Sequence, residues 1–472
     1  MSGSSTTTAP AASQAESTPR PTNEYPSNTY AWYVVVILTI TYTISFIDRQ
    51  IMSLLIGPIR QDLAISDTQV SLLIGLAFAL FYTFLGLPIG RLADRYSRRT
   101  IIAVGITIWC AMTAACGMAQ SYLQLFMARV GVGVGEAALS PSALSLISDY
   151  FAPERRGRAI AFYTSGISLG SGLAMIIGGP LIALVGTVGR TEWPLVGELY
   201  GWQKVFILVG LPGLLMALLM FTVREPARRE QLVVQGQGRS GAAALSFAEV
   251  FRFLLARWKL YGSHFVGLSV TAMLTYGFLA WVPQTFVRTW GWSIPRIGIV
   301  YGVVTLISGG LSVLLVSVLA RRFEAQGRTD VYMRTALWSF VLGAVGAVLV
   351  PLAPNPEFAV LMLVPMSTGT IAATGAGLTA LMVVTPNQMR AQTSACYYFV
   401  VNLLGLTIGP TGIALFTDYV FRDDRMLRWS VLSVATLSGI VAISLLIYNL
   451  RQYRQAIAEA GSWTERKPAP TA

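Results

Sequence analysis

Residues 68–99 read TQVSLLIGLAFALFYTFLGLPIGRLADRYSRR, an apolar run up to Gly90 followed at once by a loop with four arginines and one aspartate. A helix of about 20 apolar residues crosses the roughly 30 Å hydrocarbon core of a bilayer. Arginine and lysine concentrate in the loops on the cytoplasmic side of a membrane. This stretch therefore predicts one membrane-spanning helix and the cytoplasmic loop that follows it.

The same apolar pattern recurs along the whole chain. Hydrophobic residues make up 54% of the 472 residues and charged residues only 12%, whereas an ordinary soluble domain contains about 25% charged residues. Because the apolar runs and short loops use up nearly the whole chain, there is no room for a catalytic domain. The sequence predicts an all-α membrane protein that is not an enzyme. The predicted spans are 31–58, 68–90, 99–119, 122–147, 157–186, 202–222, 260–287, 295–320, 332–352, 357–384, 391–418 and 428–450.

A polar, arginine-rich interval divides these spans into two sets of six. It begins with Glu225 and Pro226, a pair that ends a helix. Residues 247–258 within it are amphipathic and are predicted to lie along the membrane surface. The predicted divisions are a disordered cytoplasmic tail at 1–30, a six-helix half at 31–222, a cytoplasmic linker at 223–259, a second six-helix half at 260–450 and a cytoplasmic tail at 451–472.

Topology explains the excess of 34 Lys and Arg over 22 Asp and Glu. Most of these basic residues fall in the tails, the linker and alternate loops, which predicts that both termini are cytoplasmic and that the protein lies in the cell membrane. The basic charge therefore does not indicate a nucleic-acid partner. Cysteines occur only within apolar runs and His264 is the single histidine, so the sequence predicts no metal and no cofactor.

The loop at residues 90–99 resembles the signature loop of the major facilitator superfamily, Gly-x-Leu-x-Asp-Arg-x-Gly-Arg-Arg/Lys, with Ser97 where glycine is usual. The resemblance implies the major facilitator fold, with 12 transmembrane helices in two six-helix halves. We interpret the loop as a gate in which a carboxylate, arginines and helix ends form a network that breaks on opening. The alternative is a plain basic loop. The predicted gate residues are Gly90, Asp94, Arg95 and Arg98.

Two predicted spans carry charged residues in their interiors. The first contains Asp48 and Arg49, and the fourth contains Arg129 and Glu136 on one helical face. Charges that face lipid are costly, so each group needs a partner or a water-accessible cavity. We expect Asp48 near Arg129 or Glu136, and Arg49 near Glu136 or the cavity. A purely structural network of ion pairs is the alternative.

The fifth span is marked by Gly166, Gly170, Gly179 and Pro180. These residues resemble the glycine-proline helix that antiporters of the superfamily place between their halves, and we interpret them as packing or hinge positions. Close helix packing alone is the alternative. The second half contains no acid comparable to those of the first half that is expected to be buried.

Three segments indicate a particular branch of the superfamily. They are Asp48-Arg49, residues 129–141 (RVGVGVGEAALSP) and residues 149–159 (DYFAPERRGRA). Together they resemble the spinster-like branch of the superfamily, whose members are described as proton-linked carriers of lipid-like substrates such as sphingolipids and lysophospholipids.

The spinster-like resemblance implies a role for each intramembrane charge. Asp48 and Glu136 would be the protonatable pair, with Arg49 and Arg129 as their partners or as substrate anchors. The prediction is a proton-coupled secondary active transporter of amphipathic, lipid-like substrates, a bacterial homologue that works as a monomer by alternating access, with antiport favoured. Its partners would be the substrate, protons and membrane lipids. The alternatives are a drug or organic-anion exporter of the same fold and, outside transport, a membrane sensor or a lipid scramblase.

Overall fold

The computed structural model describes residues 25–186, 189–193, 196–228 and 247–465. Parts of the predicted tails and linker lie outside the described residues, namely 1–24, 229–246 and 466–472. The helices are α1 (Asn28–Leu54), α2 (Ile56–Leu63), α3 (Asp67–Ile74), α4 (Leu76–Arg95), α5 (Arg98–Cys116), α6 (Tyr122–Glu136), α7 (Leu139–Tyr150), α8 (Pro153–Val185), α9 (Gly201–Met220), α10 (Phe247–Ala256), α11 (Trp258–Trp290), α12 (Ile294–Ala325), α13 (Val331–Leu352), α14 (Pro356–Val383), α15 (Arg390–Leu415) and α16 (Leu427–Glu465).

In the described part of the chain, twelve helical spans are long and apolar enough to cross a membrane, which confirms the predicted fold class. Span 2 consists of α3 and α4, and span 4 consists of α6 and α7. Each remaining span is formed by one of the other long helices. In the first half, spans 1, 3, 5 and 6 are α1, α5, α8 and α9. In the second half, spans 7 to 12 are α11 to α16 in the same order. Because the number of spans is even, the end of the bundle where the first span begins is also the end where the last span finishes. We call this the termini end and the opposite one the distal end.

Two of the predicted spans are each divided into two helices. Span 2 breaks at Gly75, where a Cβ atom would lie 2.3 Å from the Leu406 carbonyl oxygen of span 11. Only glycine allows so close an approach of two backbones. Span 4 breaks between Glu136 and Leu139, ahead of Pro141, which has no N–H to donate to the carbonyl one turn earlier.

A β-hairpin between spans 5 and 6 is absent from the predicted elements. Its strands, β1 (Arg190–Trp193) and β2 (Gly197–Tyr200), pair antiparallel. The Arg190 guanidinium lies 4.7 Å from the centre of the Tyr200 ring, which holds the two strand ends together. Strands of four residues give little alternation to detect in a sequence.

The two halves meet closely at the distal end. Spans 5 and 8 approach through glycines: a Cβ atom at Gly172 would lie 3.0 Å from the Gly302 carbonyl oxygen, and one at Gly179 would lie 2.8 Å from Pro295 Cα. Small residues at these positions allow the helix backbones to pack without side chains between them. Both contacts lie in the distal halves of the spans.

An ion cluster joins the halves at the same end. Arg288 at the end of span 7 binds both Asp67 carboxylate oxygens, at 2.6 and 2.8 Å, and Arg60 lies 3.0 Å from Asp67 and 2.8 Å from Asp424. The Asp418 carboxylate of the second half accepts a hydrogen bond of 2.6 Å from the backbone N–H of Thr68. We call Arg60, Asp67, Arg288, Asp418 and Asp424 the distal ion cluster. It closes the distal end.

At the termini end, the main ion clusters lie within single halves. Arg98 at the start of span 3 binds Asp149 and, at 2.7 Å, Glu225. Burial of Glu225 opposes ionisation, but hydrogen bonds from the Arg98 side chain and the Arg99 N–H lower the pKa of its carboxyl below the ordinary value. These contacts fix span 3 to the chain segment that follows span 6.

In the second half, Asp330 at the start of span 9 binds Arg334 at 3.0 Å and Arg454 at 2.6 Å. Asp330 is 1% exposed, but it precedes the first residue of span 9 and does not lie inside an apolar run, so it is not comparable with Asp48 and Glu136. Its position next to a loop hides it from a search for charges within apolar runs. Both clusters connect residues of one half only, so each half is held together separately at the termini end.

Candidate functional site

Four buried charges lie together in the first half, and we call Asp48, Arg49, Arg129 and Glu136 the central tetrad. All four are at most 9% exposed. The Arg49 guanidinium binds one oxygen of Glu136 through two nitrogens, at 2.6 and 2.7 Å. The Ser45 hydroxyl donates to the same oxygen at 2.7 Å. Spans 1 and 4 are thereby joined by the pairing of Arg49 with Glu136 that the sequence predicts.

The second pair of the tetrad is looser. Asp48 Oδ1 lies 3.7 Å from Arg129 Nη1, too far for a hydrogen bond. The hydroxyl of Thr113, on span 3, donates to the other oxygen of Asp48. The sequence predicts the pairing of Asp48 with Arg129 but not the contact with Thr113, since a threonine within an apolar span gives no signal of its own.

Several polar atoms of the tetrad have no hydrogen-bond partner among the residues that the structure describes. They are Asp48 Oδ1, Glu136 Oε1, and Nε and Nη1 of Arg129. A buried polar atom without a partner costs about 1–3 kcal/mol, which a purely structural network would avoid. The tetrad therefore has free capacity to accept a proton on two carboxylates and to donate hydrogen bonds from one guanidinium.

Aromatic rings surround Arg49. Its Cζ atom lies 4.7 Å from the ring centre of Phe46, 4.3 Å from that of Phe78 and 4.5 Å from that of Tyr82. Phe78 also lies 6.0 Å from the Arg129 guanidinium and so separates the two arginines. These rings stabilise positive charge away from water. Sequence reasoning missed Phe78 and Tyr82, although their spacing of four places them on one face of span 2.

The glycines of span 4 set its distance from its neighbours. A Cβ atom at Gly131 would lie 2.5 Å from the Met112 side chain, and one at Gly135 would lie 2.5 Å from the Trp109 backbone, both on span 3. One at Gly133 would lie 2.5 Å from the Phe78 carbonyl oxygen on span 2. Gly131 and Gly135 form the smooth helix face expected from the sequence, and Gly133 lets the ring of Phe78 reach the tetrad.

We expect Gly133→Ala to lower the free energy of unfolding by about 1–3 kcal/mol, because the added methyl group pushes against backbone that has no room to move. Displacement of Phe78 should also impair transport. Thermal unfolding of the purified protein and uptake into vesicles measure the two effects. Gly86→Ala, in span 2 with no atom within 4 Å of its Cβ position, is the matched control, and an equal loss in both variants would contradict the packing argument.

The structure separates the predicted gate residues. Gly90 packs near Pro141 of span 4, while Asp94 and Arg95 are exposed at the end of α4. Asp94 forms no ion pair with any residue that the structure describes. The network at this loop is centred on the buried Arg98 instead, because Arg98 begins span 3 and points between the helices of its own half.

The residues predicted as packing or hinge positions of span 5 face two neighbours. Gly166 and Gly170 pack against span 1, within the first half, whereas Gly179 packs against span 8 of the other half. Pro180 lies inside α8, which is one unbroken helix from Pro153 to Val185. Only the distal part of this glycine-rich face therefore lies between the halves in this conformation.

The distal ion cluster also gathers three acids. Carboxylate oxygens of Asp67, Asp418 and Asp424 lie within 4.8 Å of one another. Arg60 and Arg288 already bind Asp67, and Arg60 binds Asp424. The arginines compensate the acids, so the cluster is an ionic contact between halves in this conformation.

The fold and its buried charges define a membrane transporter rather than an enzyme. Residues 38–410 match the Major Facilitator Superfamily, and the chain belongs to this family. Within it the chain is spinster-like. It is similar to the crystal structure of a bacterial homologue of the human lysosomal transporter spinster in an inward-facing and occupied conformation, with 26% identity and a TM-score of 0.73 over 94% of this chain and 100% of that one.

Other relatives carry different names. An MFS-type efflux pump of Mycolicibacterium smegmatis is 29% identical over 91% of this chain and 95% of its own length. A probable L-galactonate transporter of Escherichia coli is 28% identical over 53% of this chain and 52% of its own length. The names of these three relatives all describe transport, and only that of the Escherichia coli relative gives a substrate.

Proposed function

We propose that the protein is a proton-coupled secondary active transporter of amphipathic, lipid-like substrates. The observation that carries the proposal is the central tetrad, in which two buried carboxylates and a buried arginine keep polar atoms without partners. Acids inside membrane spans are costly to bury, and where they occur they mark substrate or proton pathways. The similarity to a spinster homologue supports the lipid-like substrate class.

Orientation follows from the distribution of basic residues. With both termini cytoplasmic, the distal end faces outward. The distal ion cluster then closes the outer side, and the conformation is inward-facing. Alternating access requires this cluster to break when the substrate pathway opens outward.

The tetrad offers a route for coupling. A proton that binds Glu136 Oε1 cancels the charge that holds Arg49, and a proton that binds Asp48 Oδ1 weakens the attraction on Arg129. Each protonation therefore frees a guanidinium for an anionic headgroup, and a headgroup bound to that arginine in turn favours protonation of the carboxylate, because it neutralises the positive charge that stabilises the ionised form. Proton and anionic headgroup thus favour each other's binding, which supports movement of both in the same direction rather than the antiport expected from the sequence.

The surroundings suit the two parts of an amphipathic molecule. Free donors of Arg129 match a phosphate or carboxylate, and the rings of Phe46, Phe78 and Tyr82 supply apolar surface. In the second half, Tyr276 of span 7 adds an uncharged polar group. A single acyl chain with a charged headgroup fits this combination of arginine and aromatic surface.

Ligand-induced thermal stabilisation of the purified protein tests the substrate class. Lysophosphatidylglycerol and sphingosine phosphate are compared with L-galactonate and with a cationic dye. Stabilisation by the single-chain lipids alone supports the proposal, whereas stabilisation by the sugar acid or the dye alone favours the second candidate, an exporter of drugs or organic anions. The similarity to an efflux pump and to a sugar-acid transporter is the observation that keeps this candidate.

Flux in sealed vesicles separates transport from the other classes. A proton-coupled carrier accumulates substrate when a pH step is imposed. A lipid scramblase equilibrates substrate independently of the pH step, and a membrane sensor gives no flux. Either of the last two results contradicts the proposal.

We expect Arg129→Lys to reduce transport about 10–100-fold, because lysine keeps the charge but loses the two-point contact that a planar guanidinium offers to an anionic headgroup. Uptake rates in vesicles and ligand stabilisation measure the loss. Arg158→Lys, an exposed position at the start of α8, is the control. Normal transport by Arg129→Lys would contradict the two-point contact and show that only the positive charge at position 129 is needed.

A further inference from the structure

The helix α10, which precedes span 7, presents three different faces. Val250 and Leu254 are buried, on the face that packs against spans 7 and 11. Phe247, Phe251 and Leu255 are 53%, 50% and 55% exposed, and at 100° per residue they lie within a sector of about 80°. This face is a stripe of large apolar side chains that no described residue covers.

Basic residues flank the apolar stripe. Arg252 is exposed about 100° around the helix from Phe251, and Lys259 is exposed at the start of span 7. Neither side chain forms an ion pair with a described residue. Arg257, in contrast, lies 4.3 Å from the Phe253 ring and 3.6 Å from Glu459. Two positive charges beside the stripe are therefore free to bind an anionic partner.

The position of α10 fixes its depth. It ends at Ala256, and span 7 begins at Trp258, whose side chain is 63% exposed. An exposed tryptophan at the first residue of a span is typical of the boundary between headgroups and hydrocarbon. Since one residue separates the two helices, the C-terminal end of α10 lies at this boundary.

We propose that α10 is a docking site for anionic lipid headgroups, with its apolar stripe inserted among the upper acyl chains and with Arg252 and Lys259 at the phosphates. Amphipathic helices with aromatic residues on one face and basic residues at its edge bind bilayer surfaces in this way. The partner is the anionic lipid of the surrounding bilayer. This site is separate from the central tetrad and goes beyond the proposed transport.

The docking also bears on the second half. Val250 and Leu254 attach α10 to spans 7 and 11, and the Arg257–Glu459 ion pair attaches the adjoining turn to span 12. These three spans belong to the half that must move relative to the first half during alternating access. Lipid bound at α10 therefore holds the termini end of this half at the membrane surface.

Spin labels at single introduced cysteines test the depth. Full-length protein labelled at position 251 or at position 252 is reconstituted in vesicles of phosphatidylcholine with phosphatidylglycerol, and accessibility to oxygen and to a water-soluble nickel complex is measured. We expect the label at 251 to be reached mainly by oxygen and the label at 252 mainly by nickel. Nickel access to 251 equal to that of 252 would overturn insertion, and shielding of 251 from both reagents would show that protein covers the stripe.

Variation of the lipid charge tests whether Arg252 and Lys259 bind anionic headgroups. Removing phosphatidylglycerol should lower the oxygen-to-nickel ratio at position 251 by about twofold. The double variant R252Q/K259Q should give the low ratio in both lipid mixtures. R321Q/R322Q, which removes two exposed charges from the last turns of span 8, should behave like the wild type. A ratio at 251 that does not depend on phosphatidylglycerol in the wild type would overturn the anionic-lipid site.

Discussion

Asp48→Asn and Glu136→Gln are each expected to abolish accumulation of substrate driven by a pH gradient, so that the internal-to-external ratio falls to about one. Both carboxylates are 1% exposed, and each keeps one oxygen without a partner. An amide has nearly the same shape but cannot take up and release a proton. Coupling therefore stops while the fold is retained.

The two variants differ in what they leave intact. Glu136→Gln removes the charge that binds Arg49 at 2.6 Å, so this arginine becomes available to substrate in every state. Asp48→Asn leaves that pair intact and removes only the looser partner of Arg129, at 3.7 Å. We expect Glu136→Gln to retain substrate binding and passive exchange, and Asp48→Asn to bind substrate with the Arg49–Glu136 pair unchanged.

The measurement combines substrate flux and internal pH in vesicles after an imposed pH step. Glu357→Gln, an exposed acid at the start of span 10, is the matched control and should transport normally. Gradient-driven flux at the wild-type rate in both Asp48→Asn and Glu136→Gln would exclude the tetrad as the coupling site. Asp418 in the distal ion cluster would then be the next acid to replace.

The central tetrad was predictable because each member interrupts an apolar run, where a charge is conspicuous. Its partners were not: Thr113 and Phe78 are ordinary residues of membrane helices, and only packing brings them to the charges. The break at Gly75 was hidden for the same reason, since it depends on the backbone of Leu406 on a distant span. The sequence thus predicted the buried charges but not the residues that surround them.

Ion pairs formed by loop residues were beyond prediction. Asp67, Asp424 and Arg288 are separated by hundreds of residues and lie at helix ends, where charges are common and carry no signal. At the termini end, the sequence named Asp94 and Arg98 together as gate residues, and of these two it is Arg98 that is buried and paired with described residues. The sequence motif identifies the loop, but which of its residues forms an ion pair depends on the conformation of the protein.

The two ends of the molecule should respond in opposite directions to loss of an acid. Asp94 is unpaired here among the described residues, so a contact of Asp94 would form only when the termini end closes. We therefore expect Asp94→Asn to favour the distal-closed conformation further and to slow transport. A protein with unchanged conformational populations would contradict a gate role for Asp94.

Asp67→Asn is expected to open the distal end. The Asp67 side chain is fully buried and compensates Arg288 and Arg60 together. Removing one partner of a buried ion pair is costly. The contact with Arg60 lies within the first half and is lost in both conformations, whereas the contact with Arg288 joins the halves and is lost only from the distal-closed one. The balance should therefore shift toward the distal-open state by about tenfold or more. Spin labels at positions 61 and 425, on opposite halves of the distal end, report the separation by distance measurements. Asp62→Asn is the control, because Asp62 accepts a hydrogen bond from Trp202 within its own half; equal distances in Asp67→Asn and this control would show that the distal ion cluster does not hold the halves together.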